Sequence, residues 1–239
     1  MTLDLRSFRA LSFDCYGTLI DWERGLLDAL NEVFESRAIH ADPDELLEAF
    51  ATIEPRVERD GFRPYREVLG LVLDELGEEF GFPTSLEEQE AFGASVARWP
   101  AFGDSAAALA ALRERYSLFV LSNVDEDLFA GSAALLGEPF TAAYTAGAIG
   151  SYKPDPRNFE HLLGRLDADH GIAPGELLHV AQSRYHDIAP AKELGLATVW
   201  VNRRGDAGSG GATAPSDAVA DHEVPSMAAL AQLVAAAWA

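Results

Sequence analysis

The hydrophobic pattern of the chain changes character twice. A short apolar run in "SFRALSF", residues 7–13, predicts a β-strand. From Trp22 onward, apolar residues recur at helical spacing, as in "LLDALNEVF", "DPDELLEAFATIEPRVE" and "YREVLGLVLDELGEEF". Residues 20–97 are therefore expected to form an all-helical block.

After "WPAFGDS" the pattern alternates between short β-rich runs and helical segments. The predicted strands include "SLFVLSN", "LLHVAQS" and "ATVWVNR", and the predicted helices include "SAAALAALRERY", "NFEHLLGRL" and "DIAPAKELGL". Such alternation favours a parallel sheet covered on both faces. We therefore expect a Rossmann-like, doubly wound α/β core of residues 1–19 and 98–239, into which residues 20–97 are inserted as a helical cap.

The end of the chain combines a low-complexity segment with a final helix. The Gly/Ser/Ala-rich stretch "RRGDAGSGGATAPSDA" predicts a mobile surface loop. An apolar helix is expected to follow it near residues 226–238.

Composition narrows the classes of partner. The formal charge of -21 arises from 39 acidic and 18 basic residues, so the chain repels polyanions, and neither nucleic acid nor an anionic membrane is expected as a partner. Cys15 is the only cysteine, which rules out an intrachain disulfide. Because the N-terminus lacks an apolar signal core and no apolar run could span a bilayer, we expect a cytoplasmic protein.

Four apolar runs end in polar residues: "LSFD", "FVLSN", "GAIGSYK" and "LLHVAQS…HD". In a doubly wound sheet the carboxyl ends of the strands form the ligand crevice. The side chains expected to converge there are Asp14, Ser122, Asn123, Lys153 and Asp187.

These strand ends carry a family resemblance. The motifs "FDCYGTL", "VLSN", "YKPD" and "VAQSRYHD" resemble, in this order, the four motifs of the haloacid dehalogenase superfamily, and the resemblance extends over nearly the whole chain. It implies a hydrolase in which Asp14 attacks carbon or phosphorus and forms an ester that water then hydrolyses. The residues to which it gives catalytic roles are Asp14, Thr18, Ser122, Lys153 and Asp187.

Two positions decide between the branches of this superfamily. Its phosphatases usually place an acid two residues after the nucleophile, where Tyr16 stands here, and a further acid for Mg²⁺ where Gln182 stands. Since Mg²⁺ prefers carboxylates, waters and phosphate oxygens, both replacements favour chemistry without a metal. The first motif is instead similar to the "DxYGT" of type II L-2-haloacid dehalogenases.

That branch implies metal-independent hydrolysis of a small 2-haloacid without a cofactor. Asp14 would displace halide, and Asp187 would activate or orient the hydrolytic water. The residues expected to contact the substrate are Cys15, Tyr16, Asn123, Gln182 and His186. Strand alternation favours a packed over a catalytic Cys15 thiol.

The branch also implies a cap arginine near the leaving halide. The corresponding segment offers Arg56, Arg63 and Arg66 as candidates. The alternatives are a Mg²⁺-dependent phosphatase of a small phosphorylated metabolite and, less favoured, a non-catalytic binding descendant of the fold. A small carboxylic acid is the expected partner, and an apolar cap face could support a homodimer.

Overall fold

A parallel β-sheet forms the core of the structure, a computed structural model that describes residues 3–59, 61–205 and 216–239. Its strands, in chain order, are Ala10–Phe13 (β1), Ser117–Ser122 (β2), Ala142–Thr145 (β3), Leu177–Ala181 (β4), Ala197–Val201 (β5) and His222–Val224 (β6). Within the described residues they form one six-stranded sheet in the order β3-β2-β1-β4-β5-β6. Every neighbouring pair is parallel, which confirms the predicted sheet.

Four helices follow β1 before the chain returns to the sheet. They are Trp22–Glu35 (α1), Pro43–Arg59 (α2), Tyr65–Phe80 (α3) and Leu86–Ala94 (α4). Each of the first three buries the apolar face that its three- and four-residue spacing predicts; on α2 this face comprises Leu46, Phe50, Ile53 and Val57. The expected α/β fold with an inserted helical cap is therefore confirmed, whereas the domain boundaries at residues 19/20 and 97/98 stay predictions.

The remaining helices cover both faces of the sheet. They are Ser105–Arg113 (α5), Glu126–Leu135 (α6), Ala146–Ile149 (α7), Pro156–His170 (α8), Ala189–Glu193 (α9) and Met227–Ala237 (α10). Alternate residues of β2 enter two separate hydrophobic clusters: Leu118 and Val120 belong to one, Phe119 and Leu121 to the other. The sheet is thus doubly wound. None of the helices in the described part of the chain is long and apolar enough to cross a membrane.

Two C-terminal predictions have different outcomes. The helix predicted from "DIAPAKELGL" is preceded by a π-helical turn, Arg184–Ile188, so Asp187 lies inside a helical turn and not in a strand-end loop. Pro190 lies in the first turn of α9, where its missing N–H is tolerated. The final helix, α10, agrees with prediction, whereas residues 206–215 of the expected Gly/Ser/Ala-rich loop lie outside the described residues.

The strand order places the end of β1 at the middle of the sheet. β1 lies between β2 and β4, with Phe13 in register with Val120 on one side and Val180 on the other. The backbone N–H of Asp14 continues the ladder by donating to the carbonyl of Val180 at 3.1 Å. Because the strand order reverses around β1, Asp14 begins the loop at the point where α/β sheets bind ligands.

Candidate active site

Asp14 is held by one hydrogen bond on each carboxylate oxygen. Thr18 Oγ1 donates to Oδ2 at 2.6 Å, and Lys153 Nζ donates to Oδ1 at 3.0 Å. The turn at Gly17 brings Thr18 next to Asp14. Gly17 has a φ of 95°, a conformation that residues with a side chain rarely adopt. A Cβ on Gly17 would also lie 3.2 Å from both Gln182 Oε1 and Trp22 Nε1. Asp14 itself is 7% exposed and faces a cavity, so it is fixed in orientation yet reachable.

Lys153 joins the two acidic residues of the site. Its ammonium, only 2% exposed, donates to Asp14 Oδ1 at 3.0 Å, to Asp187 Oδ1 at 2.6 Å and to the carbonyl of Leu121 at 2.8 Å. An ammonium has three N–H groups, so the protein itself satisfies all of them. The side chain of Asn123 clamps the loop by donating to the carbonyl of Lys153 at 2.9 Å and accepting from its N–H at 2.7 Å.

The electrostatics of this cluster differ between the two carboxylates. Burial raises the pKa of Asp14, and the charge of Asp187 adds to the increase, against the opposing effects of Lys153 and Thr18. Burial also disfavours ionised Asp187, but Lys153 and His179 outweigh it and hold the pKa of Asp187 below its usual range. Although burial disfavours a charged Lys153, the two carboxylates raise its pKa. Asp187 is therefore the more firmly ionised acid, and ionised Asp14 depends on Lys153.

Two buried oxygens in this site have no hydrogen-bond partner among the described residues. They are Ser122 Oγ, at the end of β2, and Asp187 Oδ2. A buried polar atom without a partner costs about 1–3 kcal/mol. Both residues line the cavity, so a bound molecule can supply the missing partners.

The cavity has a volume of about 720 Å³, a size suited to a small molecule. Asp14, Ser122, Lys153 and Asp187 line its core side. The aromatic residues that line it are Tyr16, Trp22, Phe62, Tyr65, Trp99 and Tyr152. Aromatic side chains therefore enclose the space in front of the buried acidic and basic groups of the core side.

A pair of acids on α2 forms the cap side of the cavity. Glu54 and Glu58 both line it, and the Tyr65 hydroxyl donates to Glu54 Oε1 at 2.6 Å. Burial raises the pKa of Glu54 to about 7, and burial together with the charge of Glu54 raises the pKa of Glu58 to about 8. Sequence reasoning missed this pair, although their four-residue separation on a predicted helix places both on one face.

The three candidates for the cap arginine, Arg56, Arg63 and Arg66, have partners outside the cavity. None of the candidates belongs to the described residues that line the cavity. Arg56 pairs with Glu75, Arg63 donates to the carbonyl of Val57 at 3.3 Å, and Arg66 pairs with Asp127. Of the arginines in the described residues, Arg59 and Arg157 do line the cavity.

Among the predicted substrate contacts, the cavity brings together Tyr16, Asn123, Gln182 and His186. The Tyr16 hydroxyl hydrogen-bonds Ser132 Oγ at 3.0 Å, so the phenol is already engaged. The ring of His186 hydrogen-bonds Ser183 Oγ through Nδ1 at 3.3 Å. Burial lowers the pKa of His186 to about 4, so this imidazole is uncharged at neutral pH.

Cys15 and Thr18 do not belong to the described cavity lining. Cys15 is fully buried in the hydrophobic core, and burial raises the pKa of its thiol well above the ordinary value. We therefore correct its placement from a substrate contact to a packed thiol. Thr18 is fully buried too; its hydroxyl donates to Asp14 and accepts from the N–H of Gln182 at 2.8 Å. Thr18 can thus orient Asp14 but has no free hydrogen for a substrate.

The donor set does not fit a magnesium ion. Mg²⁺ requires near-octahedral oxygen ligands, including carboxylates. Here Asp14 and Asp187 share the Lys153 ammonium, and the neutral Gln182 stands where a further acid would be needed. The described residues contain no group of three or more His, Cys, Asp or Glu side chains arranged to hold a metal.

Comparisons with known proteins agree with this fold. The family model for haloacid dehalogenase-like hydrolases matches residues 8–195. The chain is 27% identical to (S)-2-haloacid dehalogenase 4A from Burkholderia cepacia over 208 residues, covering 84% of this chain and 85% of that protein.

Two further matches show how broad this similarity is. The chain is 34% identical to a phosphoserine phosphatase from Thermus thermophilus over 145 residues, covering 59% of this chain and 55% of that protein. The solved structure of a defluorinating L-2-haloacid dehalogenase superposes with a TM-score of 0.82 at 21% identity, covering 98% of this chain and 99% of that one. At 21% identity, the match to this solved structure shows a shared fold.

Proposed function

This chain belongs to the haloacid dehalogenase-like hydrolase family, and we propose that it removes halide from a small 2-haloacid by hydrolysis, without a metal. The observation that carries the proposal is Tyr16, the residue two positions after Asp14. Its hydroxyl is bound to Ser132, and burial raises the pKa of Tyr16 well above its ordinary value, so the phenol is a poor proton donor. A phosphatase needs an acid there to protonate its leaving alkoxide, whereas halide leaves unprotonated.

The first step of the proposed reaction is a displacement at C2 of the haloacid. A carboxylate oxygen of Asp14 forms a C–O bond as the C–halogen bond breaks, and the halide leaves with the bonding electrons. Thr18 and Lys153 hold the carboxylate in position, and Lys153 keeps it ionised despite its burial. This preorganisation supports Asp14 as the nucleophile.

The second step is hydrolysis of the resulting aspartyl ester. Asp187 takes a proton from water through Oδ2, the oxygen that has no partner among the described residues, and the water oxygen attacks the ester carbonyl carbon. The carbonyl oxygen gains negative charge, which the donor bonded to that oxygen, Lys153 on Oδ1 or Thr18 on Oδ2, stabilises. Collapse of the intermediate breaks the ester C–O bond, and the 2-hydroxyacid oxygen takes up the proton that Asp187 removed from water. Asp14, now carrying the second proton of the water, releases it to solvent and returns to a carboxylate.

The Ser122 hydroxyl can bind the carboxylate of the substrate. Its hydroxyl is buried, has no partner in the described structure and lines the cavity beside Asp14. A carboxylate oxygen that accepts from this hydroxyl would satisfy it. Lys153 contributes positive charge at short range, although its three N–H groups are already used.

The phosphatase alternative is favoured by one observation, the partial similarity to a phosphoserine phosphatase. That alignment covers 59% of the chain, against 84% for the dehalogenase from Burkholderia cepacia. The donor set described above also does not fit the metal that such a phosphatase needs.

An assay of both substrate classes separates the two functions. The protein is offered 2-chloropropionate or an aryl phosphate, each with and without EDTA, and free halide or phosphate is measured. We expect halide release that EDTA leaves unchanged and that Asp14→Asn abolishes. EDTA-sensitive phosphate release without halide release would contradict the proposal. No turnover of either substrate, with unchanged ligand binding by Asp14→Asn, would favour a binding protein.

A further inference from the structure

A second layer of polar residues lies behind Asp187, on the side away from the cavity. His179, in β4, is fully buried, and its Nε2 lies 3.1 Å from Asp187 Oδ1. Its Nδ1 lies 2.8 Å from the hydroxyl of Ser12, in β1, which is also fully buried. A continuous chain of hydrogen bonds thus runs Ser12–His179–Asp187 beneath the site.

The sheet register places this chain in the protein core. Ser12 and His179 are direct partners across the parallel pair β1 and β4, so their side chains lie next to each other. The ring of Phe159 packs against that of His179 with centroids 5.0 Å apart and planes at 77°, which restricts the imidazole. Burying a polar side chain in a central strand is costly unless it is hydrogen-bonded, and here each of the two is.

The partners of His179 determine where its ring hydrogen lies. The carboxylate oxygen of Asp187 can only accept, so Nε2 carries a hydrogen and donates. Nδ1 can then accept from the Ser12 hydroxyl, which has a hydrogen to give. Asp187 therefore fixes the tautomer of His179, and Ser12 supports it by donating to Nδ1.

The consequence for Asp187 is a difference between its two oxygens. Oδ1 accepts from both Lys153, at 2.6 Å, and His179, at 3.1 Å, whereas Oδ2 has no partner in the described structure. Rotation of the carboxylate would exchange these oxygens and break both bonds. We infer that Ser12 and His179 are positioning residues, which lock Asp187 so that Oδ2 faces the water that hydrolyses the aspartyl ester; this inference rests on the proposed function.

Such a device acts on one step only. Halide displacement uses Asp14, whose hydrogen bonds do not involve Ser12 or His179. Ester hydrolysis needs Asp187 ionised and oriented. Loss of the His179 bond should therefore slow hydrolysis by about 10- to 100-fold, the range found when hydrogen bonds that orient metal ligands are removed.

The decisive variant is His179→Leu, with His179→Gln as the conservative variant that keeps a side-chain N–H. Rapid quench after mixing with 2-chloropropionate measures the halide burst, and mass spectrometry of the Asp14 peptide measures the ester. In His179→Leu we expect an unchanged burst rate, ester that accumulates, and slower steady-state turnover. His179→Gln should recover part of the loss, and Ser12→Ala should show a smaller loss than His179→Leu.

The pH profile provides a readout that a purely structural role would not move. The titratable groups that face Asp187 are Lys153, Asp14, His179 and His186. Because His179 stabilises the ionised carboxylate, the acid limb of ester hydrolysis should shift to higher pH in His179→Leu. The acid limb of the halide burst should shift less, because Asp187 acts on Asp14 only through its charge and their shared Lys153.

Several outcomes would overturn the inference. One is a halide burst that slows in parallel with hydrolysis, and another is an unshifted acid limb in a folded His179→Leu protein. If thermal unfolding shows that this variant does not fold, Ser12→Ala and His179→Gln carry the same test through their pH profiles. Imidazole ¹⁵N shifts of the wild type test the tautomer without turnover: hydrogen on Nδ1 instead of Nε2 would contradict it. Absence of halide release by the wild type would instead sink the proposed function.

Discussion

The cavity has two walls of opposite electrostatic character. On the core wall, Asp14, Lys153 and Asp187 are almost fully buried, and Lys153 bonds to both carboxylates, so each carboxylate lies beside a cation. On the cap wall, Glu54 and Glu58 face the same cavity, and burial raises the pKa values of both, although the Tyr65 hydrogen bond partly opposes this for Glu54. Charges that must persist for catalysis are paired, whereas those of the cap depend on pH.

This contrast gives the two walls different roles. The core wall is preorganised for one reaction, because moving any of its groups would leave a buried charge without its partner. The cap wall changes from neutral to doubly negative near neutral pH, so it can control which substrates enter. An anionic haloacid should bind best where the two glutamic acids are protonated, and the following changes test each wall in turn.

The largest effect is expected for Asp14→Asn on the core wall. A carboxamide is not a competent nucleophile, so halide release should fall by about 10⁴- to 10⁶-fold, the range found when a nucleophile is removed. Halide release under single-turnover conditions measures it, with urea unfolding as a control for structure. Activity above a tenth of the wild type would contradict the assignment of Asp14.

Lys153→Met should have the largest effect on stability. It leaves two buried carboxylates without their shared cation, which should lower the free energy of unfolding by about 3–5 kcal/mol. The matched control is Lys192→Met, which removes a partly exposed pair with Asp221 and should change stability by about 0–1 kcal/mol. Urea denaturation measures both; equal losses would contradict the distinction between paired core charges and surface pairs.

The two glutamic acids of the cap wall should make the free energy of unfolding depend on pH. The folded-state pKa values of about 7 for Glu54 and about 8 for Glu58 lie above the ordinary 4.5, so the folded state binds protons more tightly than the unfolded chain. The resulting stabilisation is complete below pH 4.5 and is lost as pH rises through 7 to 8. Thermal unfolding from pH 5 to 9 should show this loss.

A double variant isolates that contribution. Glu54→Gln with Glu58→Gln removes both titrations, so the decline in stability above pH 5, about 3–4 kcal/mol for each group, should disappear. Glu48→Gln, at an exposed position of α2, is the matched control and should leave the slope unchanged. A slope that persists in the double variant would show that other groups cause it.

The smallest effect is expected for Tyr16→Phe. The variant leaves the buried Ser132 hydroxyl without its partner, at a cost of about 1–3 kcal/mol in stability, but removes no proton that a halide needs. Halide release should therefore change by less than about tenfold. Ser132→Ala, which breaks the same bond from the other side, is the control; a much larger loss of activity in Tyr16→Phe alone would indicate that the phenol takes part in catalysis.

The convergence of Asp14, Ser122, Lys153 and Asp187 could be predicted from sequence because the ends of parallel strands meet by geometry. The cap could not be predicted in the same detail, because the face of α2 that reaches the cavity depends on tertiary packing. Glu54 and Glu58 share that face; Arg56, two residues from Glu54, points about 200° around the helix and pairs outward with Glu75.

His179 was missed for a related reason. "LLHVA" forms a fully buried strand, and nothing in the sequence alone indicates which neighbouring residue a buried polar side chain contacts. The register of β1 and β4 and the π-helical turn around Asp187 together supply its two partners. Cys15 shows the opposite error, a predicted substrate contact that the structure does not support. Its thiol follows Asp14 in sequence but does not belong to the described cavity lining.

The central claim is that Asp14 forms a covalent ester with the substrate carbon. A single turnover of excess enzyme with 2-chloropropionate in H₂¹⁸O, followed by mass spectrometry, tests it most directly. Hydrolysis at the ester carbonyl should place one ¹⁸O in the Asp14 peptide and leave ¹⁶O in the hydroxyl of the product. Product that carries ¹⁸O after the first turnover, with an unlabelled Asp14 peptide, would show that water attacks the substrate directly and would contradict the account.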